Sequence, residues 1–230
     1  MKKYFDKYEL LISILLIIVY LATNSYCLNE FGITDYRNSI CNIFLSLIIL
    51  MFIFINKLSD YYGLTCKIKF RDYLYFIPLL LIVLASLFGG LRINNSIDEI
   101  IFYIISMFGV GFLEEIIFRG FLFKAMAKDN LKSAIMVTSI TFGIGHILNL
   151  FNGAETIPTL IQVGYAISVG FMFVIIFYKS NNLWPCILTH IFVNSLSIFT
   201  IENIYSMYIV PIIWITITIS YSLYILKKVK

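Results

Sequence analysis

The stretch FLEEIIFRGFLF, residues 112–123, places two carboxylates and one guanidinium inside an otherwise apolar segment. Its charged side chains are those of Glu114, Glu115 and Arg119. An ionisable side chain within a membrane span costs roughly 2.5–3.5 kcal/mol on insertion scales and by default marks function. We therefore ask whether the chain spans a membrane and what these charges do there.

The composition indicates a membrane protein. Of the 230 residues, 60% are hydrophobic and 13% are charged, whereas ordinary soluble domains are about 25% charged. Apolar runs near or above the ~18 residues that span a bilayer recur along the chain. We expect an all-α polytopic helical bundle of about eight transmembrane helices, forming one membrane domain over residues 1–230. The predicted spans are about 9–28, 39–56, 73–91, 99–123, 134–151, 157–178, 183–199 and 205–226.

The basic residues predict an orientation. Of the 17 lysines and arginines, Arg37 and Arg92 fall on one side of the predicted membrane and Arg119 lies within a span. The other basic residues share the opposite side, and they are Lys2, Lys3, Lys7, Lys57, Lys67, Lys69, Arg71, Lys124, Lys128, Lys132, Lys179, Lys227, Lys228 and Lys230. Cytoplasmic loops carry the excess of Lys and Arg, so both termini are predicted to be cytoplasmic. The net charge of +4 is scattered over helix ends and indicates no nucleic-acid partner.

The four cysteines form no Cys-x-x-Cys motif and no regular spacing, which predicts neither a thiolate metal site nor a disulfide framework. Cys27 and Cys41 flank one short loop. They could pair if that loop faces an oxidising side, and the alternative is two buried small residues.

Helix geometry divides the charges of the opening stretch. Glu115 and Arg119 are four residues apart, in the favourable acid-before-base order, and are expected to form an internal ion pair. Glu114 points about 100° away and has no basic partner on its own helix. The two histidines of the chain, His146 and His190, also fall within predicted spans.

These groups support hydrolytic chemistry. Glu114 could act as a general base on water, and His146 could position that water or hold its proton. His190 and Asn194, four residues apart on one helix face, could donate hydrogen bonds to an oxyanion. Glu114, His146 and His190 could instead bind a divalent metal such as zinc, since two imidazoles, one carboxylate and water form a catalytic zinc pattern. Both mechanisms remain open at this point.

The motifs resemble those of the CPBP family of CAAX-protease and bacteriocin-processing (Abi) intramembrane proteases. The matching positions are Glu114-Glu115-x-x-x-Arg119-Gly120, Phe142-x-x-x-His146 and His190-x-x-x-Asn194. They cover a catalytic core of about residues 99–200, while the spans over about 9–91 carry no signature. The resemblance implies a bundle of about eight helices whose site opens toward the cytosol. It also implies Glu114 as the base, His146 as its partner, His190 with Asn194 as oxyanion donors, and Glu115, Arg119 and Phe142 as structural support.

We therefore expect an intramembrane endopeptidase that cleaves a peptide or membrane-protein substrate near the cytoplasmic side. The resemblance implies three possible substrate types, which are CAAX tails, bacteriocin leaders and membrane-anchored regulators. It also implies a possible role in bacteriocin self-immunity. High Ile, Asn and Lys usage indicates an AT-rich genome and a bacterial plasma membrane. The alternative is a proton- or ion-coupled transporter that uses Glu114, His146 and His190 as a relay. Against it, the halves of the chain show no repeat symmetry.

Overall fold

The computed structural model describes residues 2–65 and 76–228. This part of the chain is helical and contains no β-strand, apart from an isolated bridge between Leu91 and Thr200. The predicted all-α class is therefore confirmed. Cys66, the basic residues Lys67, Lys69 and Arg71, and the first residues of the predicted third span lie outside the described residues.

Eight helical elements form the described bundle. They are α1 (Lys2–Phe31), α2 (Tyr36–Ile55), α3 (Ile77–Ala85), α4 (Ile97–Glu115), α5 (Leu131–Gly145), α6 (Thr156–Ser180), α7 (Trp184–Ser197) and α8 (Val210–Lys228). Three of them carry irregular turns. Helix α4 continues through a π-helix (Ile116–Phe123) into a last α-helical turn (Lys124–Ala127), α5 continues into a 3-10 helix (His146–Leu150), and a π-helix (Tyr205–Ile209) precedes α8.

Six of these elements are long and apolar enough to cross a membrane by length and composition. The others, α3 and α7, have 9 and 14 residues, which correspond to roughly 14 and 21 Å of helix. A hydrocarbon core is about 30 Å thick. Helix α3 ends at Ala85, and the chain then turns through Gly90, whose φ of +91° favours glycine. The predicted count of eight spans and the sides of the termini remain predictions.

Contacts between loops define the two ends of the bundle. At the basic end, Lys124 donates to Asn181 Oδ1 over 2.9 Å, and the indole of Trp184 donates to the carbonyl of Leu64 over 2.9 Å. At the far end, formed by residues 32–35, 86–96, 151–155 and 198–204, the backbone amide of Arg92 donates to the carbonyl of Phe199 over 2.7 Å. Successive helices therefore run antiparallel between the same two ends.

Helix α1 packs against the bundle through polar contacts at both ends. Near the basic end, Glu9 is buried, is paired with Lys128, and accepts a hydrogen bond from the hydroxyl of Tyr62 over 3.3 Å. Toward the far end, the Ser25 hydroxyl donates to Asn152 Oδ1 over 2.6 Å. Polar contacts between apolar helices are favourable because their groups would otherwise be left unpaired in hydrocarbon. These contacts fix α1 beside α4 and α5.

The thiols of Cys27 and Cys41 interact as neighbours across α1 and α2, and both are free cysteines. The pairing considered from the sequence is therefore not formed in this structure, although the two side chains lie together. Cys27 is buried, which also fits the alternative of a small residue packed between helices.

Helices α5 and α6 approach closely at Gly143. A methyl group placed on this glycine would lie 2.3 Å from Ile167 Cγ1 and 2.9 Å from the backbone oxygen of Val163. Small residues allow such approach between membrane helices. Gly143 provides this space, whereas a methyl group on Gly145 would meet only Leu21, at 3.9 Å.

Replacing Gly143 by alanine is expected to destabilise the protein, because the added methyl group pushes α5 away from α6. Overpacking of this kind costs typically about 1–3 kcal/mol. Thermal unfolding in detergent measures the effect. The matched control is Gly145→Ala, which introduces the same methyl group two residues further along. Equal unfolding temperatures for the two variants would contradict the packing described for Gly143.

Candidate functional site

The stretch FLEEIIFRGFLF, residues 112–123, folds as a junction between an α-helix and a π-helix. Helix α4 ends at Glu115, and the π-helix begins at the next residue. Every residue from Ile116 to Phe123 is buried. π-Helical turns are rare and occur frequently at functional sites. The change of helical pitch thus falls between the two glutamates and Arg119.

Glu115 and Arg119 form the ion pair that their spacing predicted. Arg119 Nη1 lies 3.1 Å from Glu115 Oε1, and both side chains are completely buried. The guanidinium carbon lies 4.0 Å from the centroid of the Phe142 ring, which is a close cation–π contact. Gly170 leaves room for this arrangement, since a methyl group there would lie 3.1 Å from Arg119 Nη2. The arginine is therefore held by one carboxylate and by an aromatic face.

His190 links the two glutamates. Its Nδ1 lies 2.8 Å from Glu115 Oε1, and its Nε2 lies 3.6 Å from Glu114 Oε2. From the sequence, Glu115 was expected to pair with Arg119, and Glu114 was expected to act together with the histidines. The structure shows that both glutamates face the same imidazole.

Glu114 has a further partner on α1. The hydroxyl of Tyr20 donates a hydrogen bond of 2.8 Å to Glu114 Oε1. Tyr20 is 2% exposed. Sequence reasoning missed this residue, because a tyrosine in an apolar helix carries no motif and lies 94 positions from its partner.

His146 and Phe142 complete the cluster from α5. His146 Nδ1 lies 3.1 Å from the carbonyl oxygen of Phe142, which leaves Nε2 for other partners. The Phe142 ring packs edge-on against both imidazoles, with centroid distances of 5.4 Å to His146 and 5.8 Å to His190. Glu114 and His146 line the same small cavity of about 50 Å³. The expectation that groups from three predicted spans converge is therefore met.

A larger cavity of about 330 Å³ begins at the two histidines. Asn194 lines it beside His190, as the shared helix face predicted. Most of its wall is apolar and includes Met107, Val169 and Trp214. The cavity is therefore suited to apolar groups next to a small polar cluster.

The described residues contain no group of three or more His, Cys, Asp or Glu side chains arranged to hold a metal ion. Glu114, His146 and His190 converge, but their polar atoms are already directed at other groups: Glu114 Oε1 accepts from Tyr20, and both nitrogens of His190 face glutamates. In this arrangement the three side chains are engaged with groups of the protein, and His146 Nε2 is left for other partners.

The charges of the cluster do not balance by themselves. Two carboxylates and one guanidinium carry a net charge of −1, and isolated buried charge is costly in an apolar surrounding. The Glu114 carboxylate, which has no guanidinium partner, lies beside the imidazole of His190 and the hydroxyl of Tyr20.

Residues 95–196 match a protein-family model that is described as type II CAAX prenyl endopeptidase Rce1-like. No curated protein matches the chain. The matched segment is a little under half of the chain and contains all seven residues singled out from the motifs. The resemblance is thereby confirmed: residues 95–196 are similar to CAAX-type endopeptidases, consistent with a CPBP-family intramembrane protease in an apolar helical chain.

Replacing Arg119 by methionine is expected to destabilise the protein by roughly 3–5 kcal/mol, because the Glu115 carboxylate loses its buried cation. Chemical or thermal unfolding in detergent checks this. Arg37→Met is the matched control, since Arg37 pairs with Asp35 at 2.9 Å on an exposed surface. That variant should unfold like the wild type. If Arg119→Met also unfolds like the wild type, the buried pair does not stabilise the bundle.

Proposed function

We propose that this chain is an intramembrane endopeptidase in which Glu114 activates water and His190 with Asn194 stabilises the oxyanion. The similarity of residues 95–196 to CAAX-type endopeptidases supports the reaction class. The observation that carries the assignment of roles is the placement of Glu114 within 3.6 Å of His190, at the meeting point of the two cavities.

The reaction follows from these positions. Glu114 takes a proton from a water molecule whose oxygen attacks the carbonyl carbon of the peptide bond. The negative charge that develops on the carbonyl oxygen is stabilised by hydrogen bonds from the Asn194 amide and from Nε2–H of a doubly protonated His190, whose Nδ1–H donates to Glu115. Collapse of this intermediate breaks the carbon–nitrogen bond, and the proton passes from Glu114 to the leaving nitrogen. His146 orients the water or holds the proton during this transfer.

The supporting groups hold this arrangement. Glu115 orients His190 through the 2.8 Å contact to Nδ1, which directs Nε2 toward Glu114 and the cavity. Arg119 neutralises Glu115, and Phe142 separates the imidazoles from the guanidinium. We assign Glu115, Arg119 and Phe142 to positioning rather than to bond making.

The substrate is proposed to be a peptide or membrane protein whose cleaved segment reaches into the bilayer. CAAX tails of prenylated proteins, leader peptides of bacteriocins and a role in bacteriocin self-immunity are the classes to test. A bacterial plasma membrane, inferred from residue usage, favours the second and third. A metal-assisted mechanism through Glu114, His146 and His190 is the competing proposal for the same residues.

Glu114→Gln is expected to lower cleavage by about 10²–10⁴-fold, since the amide cannot accept the proton. Purified protein in proteoliposomes is tested with an internally quenched farnesylated CAAX peptide and with a bacteriocin leader peptide. Glu155→Gln is the control, because Glu155 is an exposed glutamate outside the cluster. Cleavage by Glu114→Gln at the wild-type rate would remove Glu114 from the mechanism.

Two further measurements separate the alternatives. Activity that is lost in a chelator and restored by zinc would establish the metal-assisted mechanism. Proton flux into the same vesicles that disappears in Glu114→Gln, with neither peptide cleaved, would identify a transporter. We expect cleavage without such flux.

A further inference from the structure

Tyr20 lies in α1, outside the segment that matches the endopeptidase family. Its side chain is 2% exposed, and its hydroxyl donates to Glu114 Oε1 over 2.8 Å. A buried tyrosine hydroxyl generally takes a hydrogen-bond partner. Here that partner is the carboxylate proposed to act as the base.

The hydrogen bond fixes which oxygen of Glu114 is available for chemistry. Oε1 is engaged by Tyr20, while Oε2 faces His190 Nε2 at 3.6 Å. Tyr20 thus restricts the orientation of Glu114 and leaves Oε2 on the side of His190 to accept the proton of the attacking water.

The position of the hydroxyl is set by the attachment of α1 at two other levels. Glu9, eleven residues before Tyr20, is buried against Lys128 and Tyr62. Ser25, five residues after Tyr20, is bonded to Asn152. Because α1 is fixed above and below Tyr20, the hydroxyl cannot move away without breaking these contacts.

We propose that Tyr20 is a positioning residue for Glu114, so that the active site extends beyond the family-matched segment onto the first helix. This inference rests on the proposed function of Glu114. It predicts that the catalytic machinery requires α1 for a specific hydrogen bond as well as for packing.

Tyr20→Phe keeps the ring and removes only the hydroxyl. We expect cleavage of the farnesylated peptide to fall about tenfold or more at neutral pH. The fall should appear in kcat with KM nearly unchanged, because Tyr20 contacts Glu114 and lines neither cavity. Tyr26→Phe is the matched control, because Tyr26 lies on the same helix and is 61% exposed.

An infrared spectrum at constant pH supplies a second readout that needs no cleavage. The carboxyl bands of Glu114 are identified by their absence in Glu114→Gln, and in Tyr20→Phe they should change frequency because the hydrogen bond to Oε1 is lost. Unchanged bands and an unchanged kcat in Tyr20→Phe would overturn this inference. If Glu114→Gln itself cleaves normally, the proposed function fails instead.

Discussion

The burial of Glu115 with Arg119 is the constraint on which the site depends. Two opposite charges without solvent exposure must remain together, because separating them would leave an uncompensated charge in an apolar surrounding. The pair joins α4 to its π-helix, and Phe142 and Gly170 bring α5 and α6 against the guanidinium. His190 then attaches α7 through the same carboxylate oxygen. One ion pair therefore positions four of the helical elements that surround the cavity.

The helices without a motif contribute to this arrangement as well. Helix α1 brings a hydroxyl to Glu114, and α2 is joined to α4 by a buried hydrogen bond of 2.9 Å from Asn42 to Ser106. The family-matched segment contains the titratable groups of the cluster, while part of its surroundings comes from residues before position 95. The site of this membrane bundle thus includes residues outside the segment that carries the motifs.

Hydropathy and spacing predicted the features that depend on local sequence. They located the helical elements, the all-α class and the pair of Glu115 with Arg119, because apolar length and the four-residue repeat are local properties. They indicated a short seventh span over 183–199, but they did not predict that α3 would end at Ala85, since an apolar run does not reveal where the backbone turns. They also missed Tyr20 and the second contact of Glu115, because these depend on helix packing between residues 94 and 75 positions apart. The π-helix was not predicted either, since its residues are as apolar as those of an α-helix.

The link through His190 has a consequence for how substitutions in this site combine. Glu114 and Glu115 contact the same imidazole from one helix, while His190 belongs to another. Effects of substitutions at residues that share partners do not add, so the loss caused by one of these side chains depends on whether the other two are present. Double-mutant cycles, and no single substitution, measure what each contact contributes.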